Sequence, residues 1–382
     1  MKPRYWHYWI SLFLGIALIP ILRKLHIPAR FDWITLGTAY WFVLAAQSIF
    51  VAAILCLIGL PKQDATGPFF ERYRRDPLRI VLLLVYFCIL GWAFGWTKAL
   101  VLTADTIAIL EFRERRTLRE LGRAAGAVGL PALYLFAGFL LVFAYNSVIV
   151  SARFNFAYDP AFNAMDKWIL GGRSVYDLSH WAVGIFPLSF FRFLEFVYFG
   201  MFPQIGAGII LVTLCDGKRR GLQFVGTILM AYYLALGLFY LWPSQGPYYL
   251  CPEHFSRFPS ALHAYRIQRT LIARALALWN HVPIHRISTD YFIGFPCMHI
   301  AQPLIVMWFL RRWRRMLITL GAYDALLIVS ILFLEWHYLV DILAGVLVAG
   351  ICIAITECSV GIGLGSEVPK RRCAKAGFPP DE

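Results

Sequence analysis

Three side chains in the last third of the chain have the types and spacing to do chemistry. His299 stands in "GFPCMHIA" (294–301), and His337 and Asp341 open and close "HYLVD" (337–341). On a helix that interval puts both side chains on one face. A carboxylate placed there can accept from the imidazole, fix its tautomer and stabilise positive charge on the ring. The second imidazole can give and take a proton near neutral pH. Gly294 permits a tight approach, and Pro296 suits the first positions of a helix. The amides that open such a helix face an anion. A nucleophilic imidazole, an acid/base imidazole and an anion-facing helix start are the parts of a phosphate site.

The elements that must position these residues are membrane helices. The chain has 382 residues, 60% hydrophobic, 16% aromatic and 15% charged, with a mean hydropathy of +0.64. A soluble domain carries roughly a quarter charged residues. The apolar residues here run in blocks of about twenty, the length that crosses a hydrocarbon core at about 1.5 Å per residue. Spans are predicted at 8–22, 33–60, 79–101, 130–150, 196–215, 221–242, 296–310, 316–334 and 337–357. No small-residue cleavage site follows the first, so a removable leader is not expected. The fold class is an all-α polytopic membrane bundle.

The formal charge of +14 reflects topology rather than nucleic-acid binding. Basic clusters fall at Arg23/Lys24/Arg30, Arg113/Arg115/Arg116/Arg119, Lys218/Arg219/Arg220, Arg311/Arg312/Arg314/Arg315 and Lys370/Arg371/Arg372. The predicted spans put all of them on one side, which the positive-inside rule makes cytoplasmic. Only "ERYRRDPLR" (71–79) breaks the pattern. His299 and His337 then belong to the extracytoplasmic face, joined by one out-and-back pair of helices. Two polar stretches, 151–195 and 243–295, fall on that same face. Within the second, 261–279 reads as an interfacial amphipathic helix whose Arg266, Arg269 and Arg274 reach phosphates or water.

"GFPCMHIA", an intervening span and "HYLVD" resemble the second and third motifs of the type 2 phosphatidic acid phosphatase superfamily. They are most similar to its inositol phosphorylceramide synthase and sphingomyelin-synthase-like branch, where "FPS-x-H" and "H-Y-x-x-D" are usual. "YLWPSQGPYY" (240–249) resembles the Tyr-Pro-x-x-Pro-Pro stretch of that branch. The resemblance covers about 220–357. It implies a six-helix phosphatase-like core at 130–358, preceded by an extension of about three spans (1–129) and followed by a basic cytoplasmic tail (359–382). It also implies that His337 forms a phosphohistidine, that Asp341 orients it, and that His299 protonates the leaving group and then deprotonates the acceptor. No cofactor and no metal are implied. The substrate would be a lipid phosphate or phosphodiester in the membrane, with headgroup transfer ahead of hydrolysis.

The sequence departs from the superfamily pattern in three ways. The phosphatases' Lys-x6-Arg-Pro motif is absent. Their Ser-Arg pair falls at Ser330 and Ile331, and the serine of "FPS-x-H" is Cys297, a weaker donor than a hydroxyl. The first two losses are shared by the synthase branch. Arg257, Arg286, Arg266 and Arg269 are candidate replacement cations for the phosphate, and Cys297 a candidate contact. Glu335 is either a rim charge or a headgroup ligand. "RFPSALH" (257–263) keeps the serine but sets His263 one residue too late, so His263 is assigned to the interfacial helix.

Two other readings come from different classes. The His/His/Asp cluster is compatible with a proton relay or structural network in a transporter or scaffold, although no repeat symmetry accompanies it. His299, His337 and Asp341 also have ligand chemistry compatible with zinc. Asp324, inside a span, requires a partner from a neighbouring helix. Eight cysteines are scattered without a C-x-x-C pair. Cys251 and Cys297 fall on the same face and are the one pair that could bridge.

Overall fold

The computed structural model describes residues 118–153, 158–199, 201–250, 262–280, 282 and 293–361. The three predicted N-terminal spans, Arg257, Arg286, Cys251 and the basic tail lie outside them. Every regular element among the described residues is helical. In chain order they are α1 (Leu118–Arg153), α2 (Asp159–Ile169), α3 (Val175–Ile185), α4 (Leu188–Phe199) and α5 (Met201–Asp216). There follow α6 (Lys218–Leu241), the short α7 (Pro247–Leu250), α8 (His263–Trp279), α9 (Met298–Leu310), α10 (Arg314–Phe333) and α11 (Leu339–Gly361).

Length and apolarity suit Gly126–Asn146, Lys218–Leu241, Met316–Phe333 and Leu339–Ser359 for crossing a membrane. Gln204–Leu214 and Met298–Leu310 are shorter apolar helices. The predicted span 196–215 falls across two elements, α4 and α5. The polar stretch 151–195 is not a loop. It folds into α2, α3 and the start of α4, with a capping box at Ser174, whose hydroxyl accepts from Asp177 N while Asp177 accepts from Ser174 N.

The bundle is centred on α6 and α9. α6 packs on α1, α5, α9 and α11, and α9 also packs on α5, α10 and α11. Ile209, Phe224, Ile228, Ala301 and Ile305 are wholly buried between these helices. A second core joins α3, α4, α8 and α10 through Phe191, Leu194, Leu327 and Ile331. Asp324 finds its partner across the α5–α10 pair, where Gln204 Nε2 donates to its Oδ1 at 2.8 Å. Ser330 donates to the Leu194 carbonyl at 2.7 Å and Ile331 is fully buried, so this pair of positions packs α10 on α4.

The bundle has two chemically different ends. At one, Arg220 pairs with Glu357 at 2.6 Å, Trp308 Nε1 donates to the same carboxylate at 2.9 Å, and Arg312 pairs with Asp216. The basic clusters 218–220 and 311–315 therefore share an end. α9 begins and α10 finishes at the opposite end, and that is where the two histidine segments meet.

Candidate active site

His299 lies in the first turn of α9, which starts at Met298 with Cys297 as its N-cap. Pro303, inside the same helix, has no N–H to offer the His299 carbonyl. His337 sits in the link between α10 and α11. The two rings meet: His299 Nδ1 and His337 Nε2 are 3.1 Å apart. On its other side, His337 Nδ1 lies 2.7 Å from the Gly294 carbonyl. A carbonyl only accepts, so Nδ1 carries the hydrogen, and in a neutral ring Nε2 holds the lone pair. That lone pair points at His299.

His337 Nδ1 has two acceptors beside it, the Gly294 carbonyl and the Asp341 carboxylate. Asp341 Oδ2 stands 3.5 Å from His337 Nδ1 and accepts a hydrogen bond from Tyr338 N at 2.9 Å. The shorter imidazole bond goes to Gly294. Asp341 is fully buried, so its charge acts on the ring through a poorly screened medium. Its backbone carbonyl also accepts from Cys297 N at 2.9 Å, tying the start of α11 to the start of α9.

Small residues make this closeness possible. A Cβ on Gly294 would fall 2.1 Å from the Ser244 carbonyl oxygen, and one on Gly345 would fall 2.4 Å from the Cys297 carbonyl oxygen. Gly246 (φ +113) brings the "WPSQG" turn against Trp336, whose carbonyl oxygen would be 2.7 Å from a Cβ there. Aromatic rings wall the site. Tyr198 stacks on His299 with centroids 4.5 Å apart and on Trp336 at 4.7 Å with the rings nearly parallel.

Two carboxylates outside the motifs brace the whole assembly. Asp159, at the start of α2, accepts from Gln245 N at 3.0 Å, Gly246 N at 2.9 Å and the Tyr338 hydroxyl at 3.1 Å. Asp166, two turns further along the same face of α2, accepts from Leu339 N at 2.8 Å and Val340 N at 3.0 Å, capping α11. Burial pushes the Asp159 carboxyl up to about 7 against the pull of its amide donors, and the Asp166 carboxyl up to about 6. Sequence reasoning missed both. The only trace is the i, i+7 spacing in "YDPAFNAMDK", which also fits a solvated face.

The two helix starts that meet here differ in how their first amides are filled. The first amides of α11 are filled by Asp166. The amides of Met298 and His299 lie in the first turn of α9, ahead of any helical acceptor.

Of the other candidates, Cys297 is wholly buried at the mouth of α9. Glu335 is wholly buried with a left-handed φ of 57°, so it is not a rim charge. Arg266 and Arg269 are exposed on α8. That helix does more than float at an interface: Ala264 N donates to the buried Glu195, and Gln268 Nε2 donates to the Leu334 carbonyl at 2.7 Å. Arg257 and Arg286 lie outside the described residues, and nothing is described of the His263 side chain.

Residues 184–355, from α3 through most of α11, match the family model described as the PAP2 superfamily. The matched segment contains His299, His337 and Asp341, and supports placing that segment in the superfamily. No curated protein and no solved structure matches the chain.

Proposed function

We propose that this protein is an integral-membrane phosphotransferase or phosphatase that acts on a lipid phosphate or phosphodiester through a phosphohistidine at His337. The observation that carries the reading is the aim of one atom. His337 Nε2, its partner nitrogen held on the Gly294 carbonyl, faces His299 in the first turn of α9. The superfamily match supports the same class of lipid phosphate chemistry.

In the first step the Nε2 lone pair attacks phosphorus, the bond to the leaving oxygen breaks, and that oxygen takes a proton from His299 in its imidazolium form, which is left neutral. Asp341 stabilises the positive charge that the His337 ring gains. In the second step an acceptor hydroxyl gives its proton to His299 and attacks phosphorus, and the P–N bond breaks to free His337. Water as acceptor makes the reaction hydrolysis; a lipid or sugar alcohol makes it headgroup transfer. The missing phosphatase motifs, including the isoleucine at 331, favour transfer of the kind found in the inositol phosphorylceramide synthase branch.

At 3.1 Å the histidines are one hydrogen bond apart, with no room for a phosphoryl group between nucleophile and acid. Reacting atoms need about 3–3.5 Å between nucleophile and phosphorus, with the acid beyond the leaving oxygen. Substrate must therefore part the two rings. Arg266 and Arg269, exposed on α8, remain candidate cations for the phosphate.

The test uses purified full-length protein in detergent with chelator present. Wild type, His337→Ala and His299→Ala are each given a fluorescent lipid phosphate, and a phosphodiester lipid together with a lipid alcohol. Turnover by wild type, with both variants reduced by orders of magnitude, is the expected result. Variants that match wild type would overturn the assignment, as would a folded wild type inert on both substrates.

A further inference from the structure

The Cys297 sulfur, one ring nitrogen of His299 and one of His337 all lie within 4.8 Å of one another. Two features of this trio go beyond a phosphate site. The first is geometric. Zinc holds thiolate sulfur at about 2.3 Å and imidazole nitrogen at about 2.0–2.1 Å, so tetrahedral ligand atoms sit roughly 3.3–3.8 Å apart. The two imidazole nitrogens, at 3.1 Å, already span close to one such edge. The second lies behind the first ligands. A metal-bound imidazole usually donates its other N–H to a carbonyl or carboxylate. His337 Nδ1 does so to Gly294 at 2.7 Å, with Asp341 at 3.5 Å.

The donor set is also selective. A serine at 297 would offer a hydroxyl, which is a poor ligand for borderline metals, whereas a thiolate beside two imidazoles favours zinc over magnesium or calcium. Cys297 is wholly buried, and its backbone is pinned by the hydrogen bond to Asp341 and by the contact with Gly345. The backbone that carries the sulfur is therefore fixed beside the two histidine segments.

We propose that Cys297, His299 and His337 form a binding site for a borderline divalent cation of the zinc type, and that occupancy switches the phosphate chemistry off. On binding, the Cys297 thiol loses its proton to solvent and becomes a ligand. His299 moves its hydrogen from Nδ1 to Nε2, and His337 gives the metal the same lone pair it would use on phosphorus. One proton is released per ion, and the fourth coordination position is left to water or an anion. Inhibition rests on the function proposed above; metal binding itself does not.

Binding and inhibition are measured separately on the full chain in detergent after chelator stripping. Cobalt is titrated while the thiolate-to-metal charge-transfer absorption is followed, and zinc affinity is obtained by displacing the cobalt. Cys297→Ser and Cys297→Ala are compared with Cys358→Ser, which alters an exposed free thiol. Thermal unfolding of each variant verifies that it is folded. The expected result is a thiolate band in wild type and Cys358→Ser that is lost in both Cys297 variants, with zinc affinity down at least about tenfold. A band that persists in the Cys297 variants, or no band in wild type, overturns the site. In the second arm each protein's turnover with zinc is divided by its own turnover with chelator. Zinc should suppress wild type strongly and Cys297→Ser about tenfold less sensitively. Equal zinc sensitivity overturns the inhibitory role. A stripped wild type that binds cobalt through a thiolate but turns over no lipid upholds the metal site and removes the catalytic reading.

Discussion

His337 is held by what lies on both sides of its ring. Gly294 fixes the Nδ1 hydrogen, and Nε2 is aimed at His299. The sequence showed the two histidines and the carboxylate, because they are side chains with a recognisable spacing. It could not show the Gly294 carbonyl, since a backbone acceptor has no letter of its own. Of the two readings left open for Glu335, rim charge or headgroup ligand, burial removes the first: "LEWHY" looks like the end of a span meeting water, yet the link folds inward and buries it. Removing each ring should have a different signature. His299→Ala should slow turnover by about 10²–10⁴, the range general acid–base groups contribute. It should still form some covalent phosphoenzyme, whereas His337→Ala should form none. Rapid-quench labelling from a radiolabelled lipid phosphate distinguishes the two, and label on His337→Ala would assign the nucleophile elsewhere.

At the scale of elements, helix starts and their anchors matter most. The apolar blocks gave the long helices α6, α10 and α11 nearly to their ends, because hydrophobic length is written directly in composition. The α2–α4 segment was not readable as structure. Its helices are short, half polar and stabilised by contacts with segments more than a hundred residues away, such as Asp166 with Leu339 and Val340. Two predictions belong here. Gly345→Ala places a Cβ 2.4 Å from a backbone oxygen, while Gly350→Ala, on the same helix, meets nothing within 4 Å. The first should cost roughly 1–3 kcal/mol and lower turnover; the second should do neither, as measured by thermal unfolding and activity in parallel. The second prediction concerns pH. Asp159 has its folded pKa raised from 3.8 to about 7 by burial, so the folded state holds a proton there that the unfolded state releases. Stability from this group is therefore greatest at low pH and declines as pH rises from about 4 to about 7, levelling off above. Asp166, raised to about 6, acts in the same direction. The melting temperature should fall from pH 5 to pH 8, and Asp159→Asn should flatten that fall. An unchanged pH profile in Asp159→Asn would show that the carboxylate stays ionised.

At the scale of the whole molecule, polarity is the organising feature. The arginine-rich end carries Arg220, Arg312 and their carboxylate partners, and the histidines lie at the other. Charge placement in the sequence already suggested this, because positive residues and titratable histidines segregate between alternate loops. Large apolar side chains on the histidine-end helices, Trp168, Trp181 and Phe196, are exposed, as befits a belt at the lipid boundary. The positive-inside rule, applied to the basic end, predicts a site on the outer face. Sealed vesicles of outside-out orientation should convert an impermeant, water-soluble phosphate-ester substrate without detergent, and inside-out vesicles should need detergent. The reverse pattern would invert the topology.

The central claim is that His337 becomes phosphorylated during turnover, and it can be tested directly. Full-length protein in detergent, with chelator present, is quenched during steady turnover of a lipid labelled in its phosphate and then digested. The account predicts label on the peptide containing His337, stable to base and labile to acid as a P–N bond requires, and no label in His337→Ala. Turnover without any such label, or label that remains on another residue of His337→Ala, would contradict it.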